Sequence, residues 1–289
     1  MKVGLLDTLG ARHLRYWAPF LAALGVEAAR PALPLADAYA LGRESLPGEP
    51  AWVQLALGRI LELDRSDLVL LPELPALPQD PWSEAFAEVL ARRVGGLPQL
   101  LTVPVEGEGV ASAATELGIG LLHNPGKVRL ALERVKPLVQ PPRPETPGWS
   151  VTGQRTVGVV GPQVLTADPF LTAPLRAALA EAHLHPVWGH ALPAEGVAER
   201  AQRVGARTPG EAALAGAVGL LSAKGSVAGL VLAAPARDAA ARRALERLAE
   251  AAFRPTVVLD VAPELPADLG AFAERLSARA SARPAGEAP

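Results

Sequence analysis

Three histidines lie close together in the second half of the sequence, at positions His183, His185 and His190. Imidazole is a common zinc ligand, and alternate residues of a β-strand face the same side, so the first two rings could converge on one ion. The ordinary alternative is that these residues flank a strand at the protein surface. We therefore predict no metal site here.

Glycines occur in two patterns that differ from the known phosphate-binding motifs. Lys224 precedes Gly225, whereas the lysine of a P-loop follows the second glycine of the motif. We predict instead that Gly225 ends a helix. Gly158 and Gly161 lack the remaining spacing of a dinucleotide-binding fingerprint, so we expect close packing of a helix against a strand at this point.

Acidic residues next to predicted helices are interpreted first as structural. Asp168 precedes a proline, which favours a turn or a helix cap, with a ligand contact as the alternative. Asp238 begins a helix that follows a strand, and a carboxylate at that position caps the helix and suits its dipole. The neighbouring Arg237 is the better candidate for contacting an anion. Trp149 lies in a Gly-Trp-Ser segment that lacks the pattern of a nucleophile elbow, and we expect its ring to pack on a domain surface.

Composition limits the classes of function. The chain has 289 residues, no cysteine and a formal net charge of −2. The absence of cysteine excludes disulfides, thiolate nucleophiles and cysteine-ligated metals within the chain. Scattered basic residues give no footprint for nucleic acid. No apolar run reaches the ~18 residues that span a bilayer, and no signal peptide precedes the first strand, so we expect a soluble cytoplasmic protein.

The two halves of the chain contain the same order of predicted elements. Strands are predicted at residues 3–6, 27–32, 67–71 and 99–103, and again at 156–160, 186–188, 227–233 and 256–261. Helices are predicted at 11–24, 52–63, 81–94, 110–122 and 125–135, and again at 174–182, 197–204, 211–223, 238–252 and 269–278, with 33–48 irregular or weakly helical. Strands that alternate with helices through right-handed crossovers form parallel sheets. We therefore predict two similar α/β domains, Rossmann-like or flavodoxin-like, each with a four-stranded parallel sheet covered by helices on both faces.

The domain boundary is predicted from proline content. Five prolines fall between residues 137 and 155, which favours an extended, stiff linker. This gives an N-terminal domain at 1–136, a C-terminal domain at 156–280 and a disordered tail at 281–289. Ligands of such sheets bind beyond the carboxyl ends of the strands, so we expect a site in the cleft between the domains.

Several segments, in this order, resemble the activase-associated branch of the 2-hydroxyacyl-CoA dehydratase subunits. Residues 3–25 match the opening strand, turn and aromatic helix of that family, with Tyr16, Trp17, Pro19 and Phe20. Residues 50–59 align with a Cys-x-Pro-Val-Lys-x-x-x-Gly-His segment, and 67–73 with a strand that ends in Pro-Arg. Residues 161–170 and 224–234 match two further family patterns. The resemblance covers most of residues 3–278.

The chain departs from this family at the residues that carry its chemistry. Catalytic members hold a four-iron, four-sulfur cluster on cysteines, between the domains. The aligned positions fall near Pro50, near Asp80 and at Ala234 or Pro235, and none is cysteine. The neighbouring family lysine and histidine are replaced by Gln54 and Arg59. Because iron needs thiolates here, we predict no iron–sulfur cluster and no cofactor.

Three functions are consistent with a cluster-free relative of this family. The first is a non-catalytic binding or assembly subunit, and we expect the chain not to be catalytic on its own. The second is a subunit that forms a substrate wall in a complex with an activase-type ATPase or a cysteine-bearing homologous subunit. The third is an independent enzyme that binds an acyl-CoA or another small anion in the cleft. We expect no partner among nucleic acids or membranes.

Five polar side chains are the candidate ligand contacts of the predicted cleft. They are Gln54, Arg59, Glu73, Asp80 and Arg237. Losing the cluster leaves apolar residues near it, which favours partial closure of the cleft. A ligand site that persists would need convergent polar groups, and these five residues supply them.

Overall fold

The chain divides into two α/β units in the computed structural model, which describes residues 1–107, 109–140 and 148–281. The N-terminal unit contains Met1–Leu74 and Pro81–Arg143, and the C-terminal unit contains Pro75–Asp80 and Pro144–Pro289. The middle of the predicted linker, residues 141–147, and the predicted tail beyond residue 281 lie outside the described residues.

Four parallel strands form the sheet of the N-terminal unit. They are β1 (Val3–Leu5), β2 (Ala28–Ala29), β3 (Leu68–Pro72) and β4 (Gln99–Val103). Their order across the sheet is β2-β1-β3-β4. Gly4 pairs with Ala29 on one side and with Val69 on the other, so β1 is an interior strand. The apolar runs of β1 and β3 are buried throughout, as expected for a parallel sheet covered on both faces.

The helices of this unit follow its strands. They are α1 (Leu14–Leu24), α2 (Leu35–Ser45), α3 (Ala51–Leu61), α4 (Pro81–Glu84), α5 (Phe86–Arg93), α6 (Gly109–Leu122) and α7 (Pro125–Val135). Helix α1 ends where Gly25 adopts φ of 73°, the left-handed conformation that glycine favours at a helix end. The single helix predicted at 81–94 is wrong, because Ala85 has φ of −149° and separates α4 from α5.

Helix α2 forms where the sequence predicts irregular or weakly helical structure, because it packs closely on α3. A β-carbon on Gly42 would lie 1.7 Å from the backbone oxygen of Gln54. A β-carbon on Gly58 would lie 1.8 Å from the backbone oxygen of Ala38. The two helices are therefore in contact at backbone level at two points, and each point requires glycine.

The sheet and helices of the C-terminal unit repeat this arrangement. The strands are β5 (Arg155–Val160), β6 (Leu184–Trp188), β7 (Val227–Pro235) and β8 (Thr256–Val261). They are parallel, in the order β6-β5-β7-β8. The helices are α8 (Gln163–Thr166), α9 (Ala173–Glu181), α10 (Ala194–Val204), α11 (Pro209–Ala223), α12 (Ala239–Glu250) and α13 (Gly270–Ser281). The predicted fold class, two four-stranded parallel α/β sheets with flanking helices, is confirmed.

The ends of helices α11 and α12 test two predictions. Asp238 caps α12, because its Oδ1 accepts a hydrogen bond of 2.9 Å from the backbone N–H of Ala241. The prediction for Gly225 is wrong. Lys224 is the residue that ends α11, with φ of −81°, and its own N–H closes the last turn by bonding to Leu221. Since this end needs no left-handed residue, it does not depend on glycine.

Pro75–Asp80 belongs to the C-terminal unit although it follows β3 in sequence. Leu77 is 4% exposed and lies in the apolar core that includes Leu230 and Leu232. Gly210 donates its N–H to the carbonyl of Ala76 at 2.9 Å. The segment is thus held by an apolar anchor and by a backbone hydrogen bond.

Trp149 packs against the same core, and the ammonium of Lys224 lies 4.7 Å from the centre of its ring. The expectation that this ring packs on a domain surface is confirmed. None of the helices in the described parts of the chain combines the length and apolarity that crossing a bilayer requires.

Candidate functional site

The carboxyl ends of β1 and β3 form the candidate site of the N-terminal unit. Strand β1 lies between β2 and β3, so the connections on its two sides leave the sheet in opposite directions. A crevice opens at such a switch point, and ligands of parallel α/β sheets bind there. Asp7 and Thr8 follow β1, and Glu73 follows β3.

The connection from β1 to α1 has an unusual backbone. Leu9, Gly10 and Ala11 have φ of 59°, 86° and 47°, so three consecutive residues are left-handed and two of them are not glycine. The carbonyl of Thr8 accepts a hydrogen bond from the N–H of Ala11 at 3.1 Å and closes this turn. For the two residues that are not glycine, this conformation costs about 1–3 kcal/mol each, and such strain concentrates at functional sites.

His13, at the start of α1, is completely buried, and within the described part of the chain neither of its ring nitrogens makes a hydrogen bond of standard geometry. Burial lowers the pKa of His13 to about 4, and the neighbouring carbonyl of Leu70 offsets only part of this shift. That carbonyl also accepts the N–H of Leu6, at 3.3 Å, so the ring lies beside the hydrogen bond that joins the end of β1 to β3. At neutral pH His13 is an uncharged group with one donor and one acceptor.

Thr8 and Asp7 present further unpaired atoms beside this position. The Thr8 side chain is buried, and its hydroxyl has no hydrogen-bond partner among the residues that the structure describes. The Asp7 side chain is 29% exposed, and its Oδ1 is also without a partner. Because buried polar groups are nearly always paired, unpaired atoms on three nearby residues indicate a site for water or a ligand. Because the Asp7 side chain is partly exposed, the candidate site faces solvent at Asp7.

Arg59 of α3 neutralises part of the negative charge of the carboxylates near the carboxyl ends of β1 and β3. Its guanidinium donates to Oδ2 of Asp7 at 3.0 Å and to Oε1 of Glu62 at 2.9 Å. It also donates to the carbonyl of Leu33 at 2.6 Å, which leaves only its Nε without a partner. The other oxygen of Glu62 accepts the N–H groups of Ala32 and Leu33, both at 2.7 Å. Two carboxylates therefore surround one guanidinium, and the network as a whole is negative.

Gln54, also on α3, is fully buried. Its Nε2 donates to the carbonyl of Leu46 at 3.0 Å, which ties α3 to the residue that ends α2, while its Oε1 has no partner. Gln54 and Arg59 thus make separate hydrogen bonds with separate loops, although they lie on one helix.

The remaining predicted site residues are distributed over both units. Glu73 is exposed, and its N–H donates to the carbonyl of Val103 at 2.8 Å. Asp80 is 4% exposed and belongs to the C-terminal unit, where its N–H donates to the carbonyl of Leu77 at 3.2 Å. Arg237 is exposed in the same unit and has φ of 69° directly after β7. A shared ligand site for the five residues stays a prediction.

The other motifs of the C-terminal unit have structural roles. Oδ1 of Asp168 accepts the N–H groups of Phe170 and Leu171, at 2.9 and 3.2 Å, which is the predicted turn. A β-carbon on Gly158 of β5 would lie 2.9 Å from Cδ1 of Leu221 in α11, which confirms the predicted close packing of a helix against a strand, and a β-carbon on Gly161 would lie 2.2 Å from the carbonyl oxygen of Ala233 in β7. A ring nitrogen of His185 lies 2.7 Å from the carbonyl oxygen of Gly148. Within the described ranges, no three His, Asp or Glu side chains are grouped as metal ligands.

The five site residues predicted from the sequence include neither Asp7 nor Thr8, and they also miss His13. The signal was its position, because it lies in the first connection between strand and helix, where ligand-binding residues concentrate. The sequence did not indicate that His13 is buried, since a lone histidine before an amphipathic helix usually faces solvent.

Comparison with protein-family models and with curated proteins finds no match to this chain.

Proposed function

We propose that this chain is a ligand-binding or assembly subunit without an iron–sulfur cluster, related to the 2-hydroxyacyl-CoA dehydratase subunits. The observation that supports binding is the set of unpaired polar atoms on Asp7, Thr8 and His13 at the carboxyl ends of β1 and β3. Leaving a buried donor or acceptor unpaired costs about 1–3 kcal/mol, and a ligand that pairs with it recovers this free energy. The resemblance in sequence, together with two units of the same strand order, supports the relationship.

The hydrogen bonds favour binding over nucleophilic catalysis. An activated hydroxyl needs a base within hydrogen-bond reach. The hydroxyl of Thr8 has no such partner, and the ring nitrogens of His13 are bonded to neither a hydroxyl nor a carboxylate. This supports a subunit that is not catalytic on its own.

The electrostatics of the site favour an uncharged polar group as the part of the ligand that binds here. The carboxylates of Asp7 and Glu62 outnumber the guanidinium of Arg59, so an anion would be repelled. The atoms of Thr8 and neutral His13 can both donate and accept. A hydroxyl group on the ligand, which also donates and accepts, matches the atoms of Thr8 and His13. In a 2-hydroxyacyl-CoA thioester it would be the hydroxyl of the acyl group.

The same proposal includes a protein partner. The positions aligned with the family's cysteines fall near Pro50, near Asp80 and at Ala234 or Pro235, and none of these residues is cysteine. A complex that performs cluster chemistry would therefore obtain its thiolates from a cysteine-bearing homologous subunit, or its electrons from an activase-type ATPase. Size-exclusion chromatography of the chain with each of these proteins tests the assembly role, and separate elution of both mixtures would contradict it.

Calorimetric titration tests the ligand. We expect a short 2-hydroxyacyl-CoA thioester to bind more tightly than the same thioester without its hydroxyl. One hydrogen bond contributes about 0.5–1.5 kcal/mol, which corresponds to an affinity difference of roughly two- to tenfold. Thr8→Val should remove this difference, because the variant lacks the hydroxyl that pairs with the ligand.

The matched control is Thr115→Val, which removes a helix hydroxyl that bonds to the carbonyl of Ala111. This variant should bind both thioesters as the natural chain does. Equal affinity of the natural chain for the two thioesters would contradict the proposal that the ligand hydroxyl is bound. If Thr115→Val bound the two thioesters equally well, the proposed location of that hydroxyl at Thr8 would be contradicted.

A further inference from the structure

The C-terminal unit contains a cavity of about 510 Å³ that is separate from the strand ends. It lies between α11 and α12, beside the loop that joins α10 to α11. Its walls are Pro78, Val204, Gly205, Ala206, Arg207, Glu211, Leu214, Ala215, Ala244, Arg247, Leu248 and Ala251. Cavities of about 300–1,000 Å³ are typical of small-molecule sites.

Small side chains explain why this space is open. Ala244 and Leu248 of α12 and Ala251, the residue that follows the helix, are spaced by four and three residues and line the cavity from one side. Ala215 of α11 faces them. Leu214, Ala215 and Ala244 are 4%, 6% and 5% exposed, so the cavity reaches the buried layer of the unit. The interior of the cavity is thus apolar.

The rim of the cavity is positively charged. Arg207 and Arg247 both line it and are exposed, and Glu211 is the only acidic residue among the walls. One oxygen of Glu211 is 3.5 Å from the Arg247 guanidinium, and the other accepts the backbone N–H of Arg207 at 3.1 Å. The side chain of Arg207 makes no hydrogen bond or ion pair in the described part of the chain. An exposed ion pair as long as that of Arg247 contributes little, so both guanidinium groups are available to an anion.

We propose that this cavity binds an amphipathic carboxylate. Its aliphatic or aromatic body would fill the apolar space lined by Leu214, Ala244 and Leu248, and its carboxylate would bond to Arg207 and Arg247. Guanidinium matches a carboxylate with two parallel hydrogen bonds, which places the charged end of the ligand at the rim. This inference is independent of the proposed function, because it involves the other unit and none of the residues at β1 and β3.

Calorimetry with decanoate as the probe, below its aggregation concentration, tests this proposal. We expect saturable binding at one site per chain, and at least tenfold weaker binding of decan-1-ol, which has the same chain without the charge. The double variant Arg207→Ala/Arg247→Ala should bind decanoate at least tenfold more weakly. Arg129→Ala, which removes an exposed helical arginine of the N-terminal unit, should leave the affinity unchanged.

A second pair of variants tests the apolar part. Ala244→Phe should abolish binding by filling the cavity from its buried side. Since this change can also disturb packing, Ala251→Phe, at an exposed position of the wall, provides the same test with little risk to the fold. Circular dichroism checks the fold of each variant. The proposal is overturned if decanoate does not bind saturably, if decan-1-ol binds as tightly, or if folded Ala251→Phe retains the natural affinity.

Discussion

Among the described residues, the buried hydroxyl of Thr8 has no hydrogen-bond partner and the buried ring of His13 makes no hydrogen bond of standard geometry. Thr172 is equally buried, but its hydroxyl donates to the carbonyl of Asp168 at 2.7 Å and accepts from Nε of Arg176 at 2.9 Å. The contrast indicates that Thr172 contributes to stability, whereas Thr8 reduces it. Natural proteins tolerate such a loss mainly where it serves binding.

Thr8→Val should therefore stabilise the folded chain. Valine has nearly the same shape, and replacing the unpaired hydroxyl by a methyl group removes a desolvation cost of about 1 kcal/mol. Urea denaturation measures the change. Thr172→Val is the matched control and should destabilise by about 1–3 kcal/mol, because it removes the hydroxyl that bonds to the Asp168 carbonyl and to Nε of Arg176. A destabilised Thr8→Val variant would show that the hydroxyl already has a partner.

His13 should make stability fall as the pH is lowered. Its folded-state pKa is about 4 and its ordinary pKa is 6.5, so below pH 6.5 the unfolded chain takes up a proton that the folded chain does not. Stability is therefore greatest above pH 6.5 and is lost as the pH falls towards 4. The loss amounts to about 3 kcal/mol, at 1.4 kcal/mol per pH unit.

Free energies of unfolding measured between pH 7 and 4 test this expectation. His13→Gln should show a shallower decline with falling pH than the natural chain. His123→Gln, which changes an exposed histidine, should follow the natural chain. Parallel curves for the natural chain and His13→Gln would mean that the pKa of His13 is the same in the folded and unfolded chains, which would contradict the expectation.

Helices α2 and α3 show how contact between elements decides local structure. The sequence of α2 predicts at most weak helix, yet Gly42 and Gly58 let its backbone meet α3 directly, and the buried ring of Tyr39 adds apolar contact. Most helical stability in proteins comes from packing rather than from propensity. Gln54 adds the hydrogen bond to Leu46 that fixes the end of α2.

Gly58→Ala should destabilise the N-terminal unit. Alanine favours a helix over glycine by about 1 kcal/mol, but its β-carbon would lie 1.8 Å from the backbone oxygen of Ala38, and the helices must separate. We expect a net loss of about 1–3 kcal/mol by thermal or urea denaturation. Gly120→Ala in α6 is the control, since nothing lies within 4 Å of its added carbon, and it should stabilise slightly. A stabilised Gly58→Ala variant would contradict this packing.

At the scale of the whole molecule, the chain builds two units with the same strand order, but the second unit is completed by a segment from the first half. Residues 75–80 follow β3 and supply Leu77 to the core of the C-terminal unit. Folding of that unit therefore depends on residues far away in sequence.

Leu77→Ala should weaken the C-terminal unit selectively. Truncating a buried leucine costs about 2–5 kcal/mol, since it removes apolar contacts and leaves a cavity. Hydrogen exchange should show faster opening of β7 and α11, with β1 and β3 unchanged. Leu130→Ala, which changes a leucine that is 65% exposed, is the control. Unchanged exchange in β7 would contradict the role assigned to Leu77.

The purified chain should also be colourless and free of iron, even when prepared without oxygen. It contains no cysteine, and carboxylates and imidazoles are poor ligands for iron–sulfur clusters. Elemental analysis and the visible spectrum measure this. Stoichiometric iron with a visible absorption band would contradict both the prediction and the cluster-free function.

The sequence by itself determined the fold class. The runs at 67–71 and 227–233 are short, largely apolar and followed by a proline within two residues, which is typical of buried parallel strands, and the alternating helices indicate a parallel sheet. It also excluded cysteine chemistry, and it identified capping by Asp238, because a cap depends on residues only a few positions apart.

Only the tertiary structure decided the features that depend on distant contacts. Helix α2 forms because Gly42 and Gly58 meet a neighbouring helix, and no local pattern records that meeting. The guanidinium of Arg59 bonds to the carboxylate of Asp7, which is 52 residues away in sequence. A residue predicted as a ligand contact is therefore largely paired within the protein. Burial of His13 and the unpaired hydroxyl of Thr8 likewise arise when β3 is placed beside β1, since solvent is excluded by residues far along the chain.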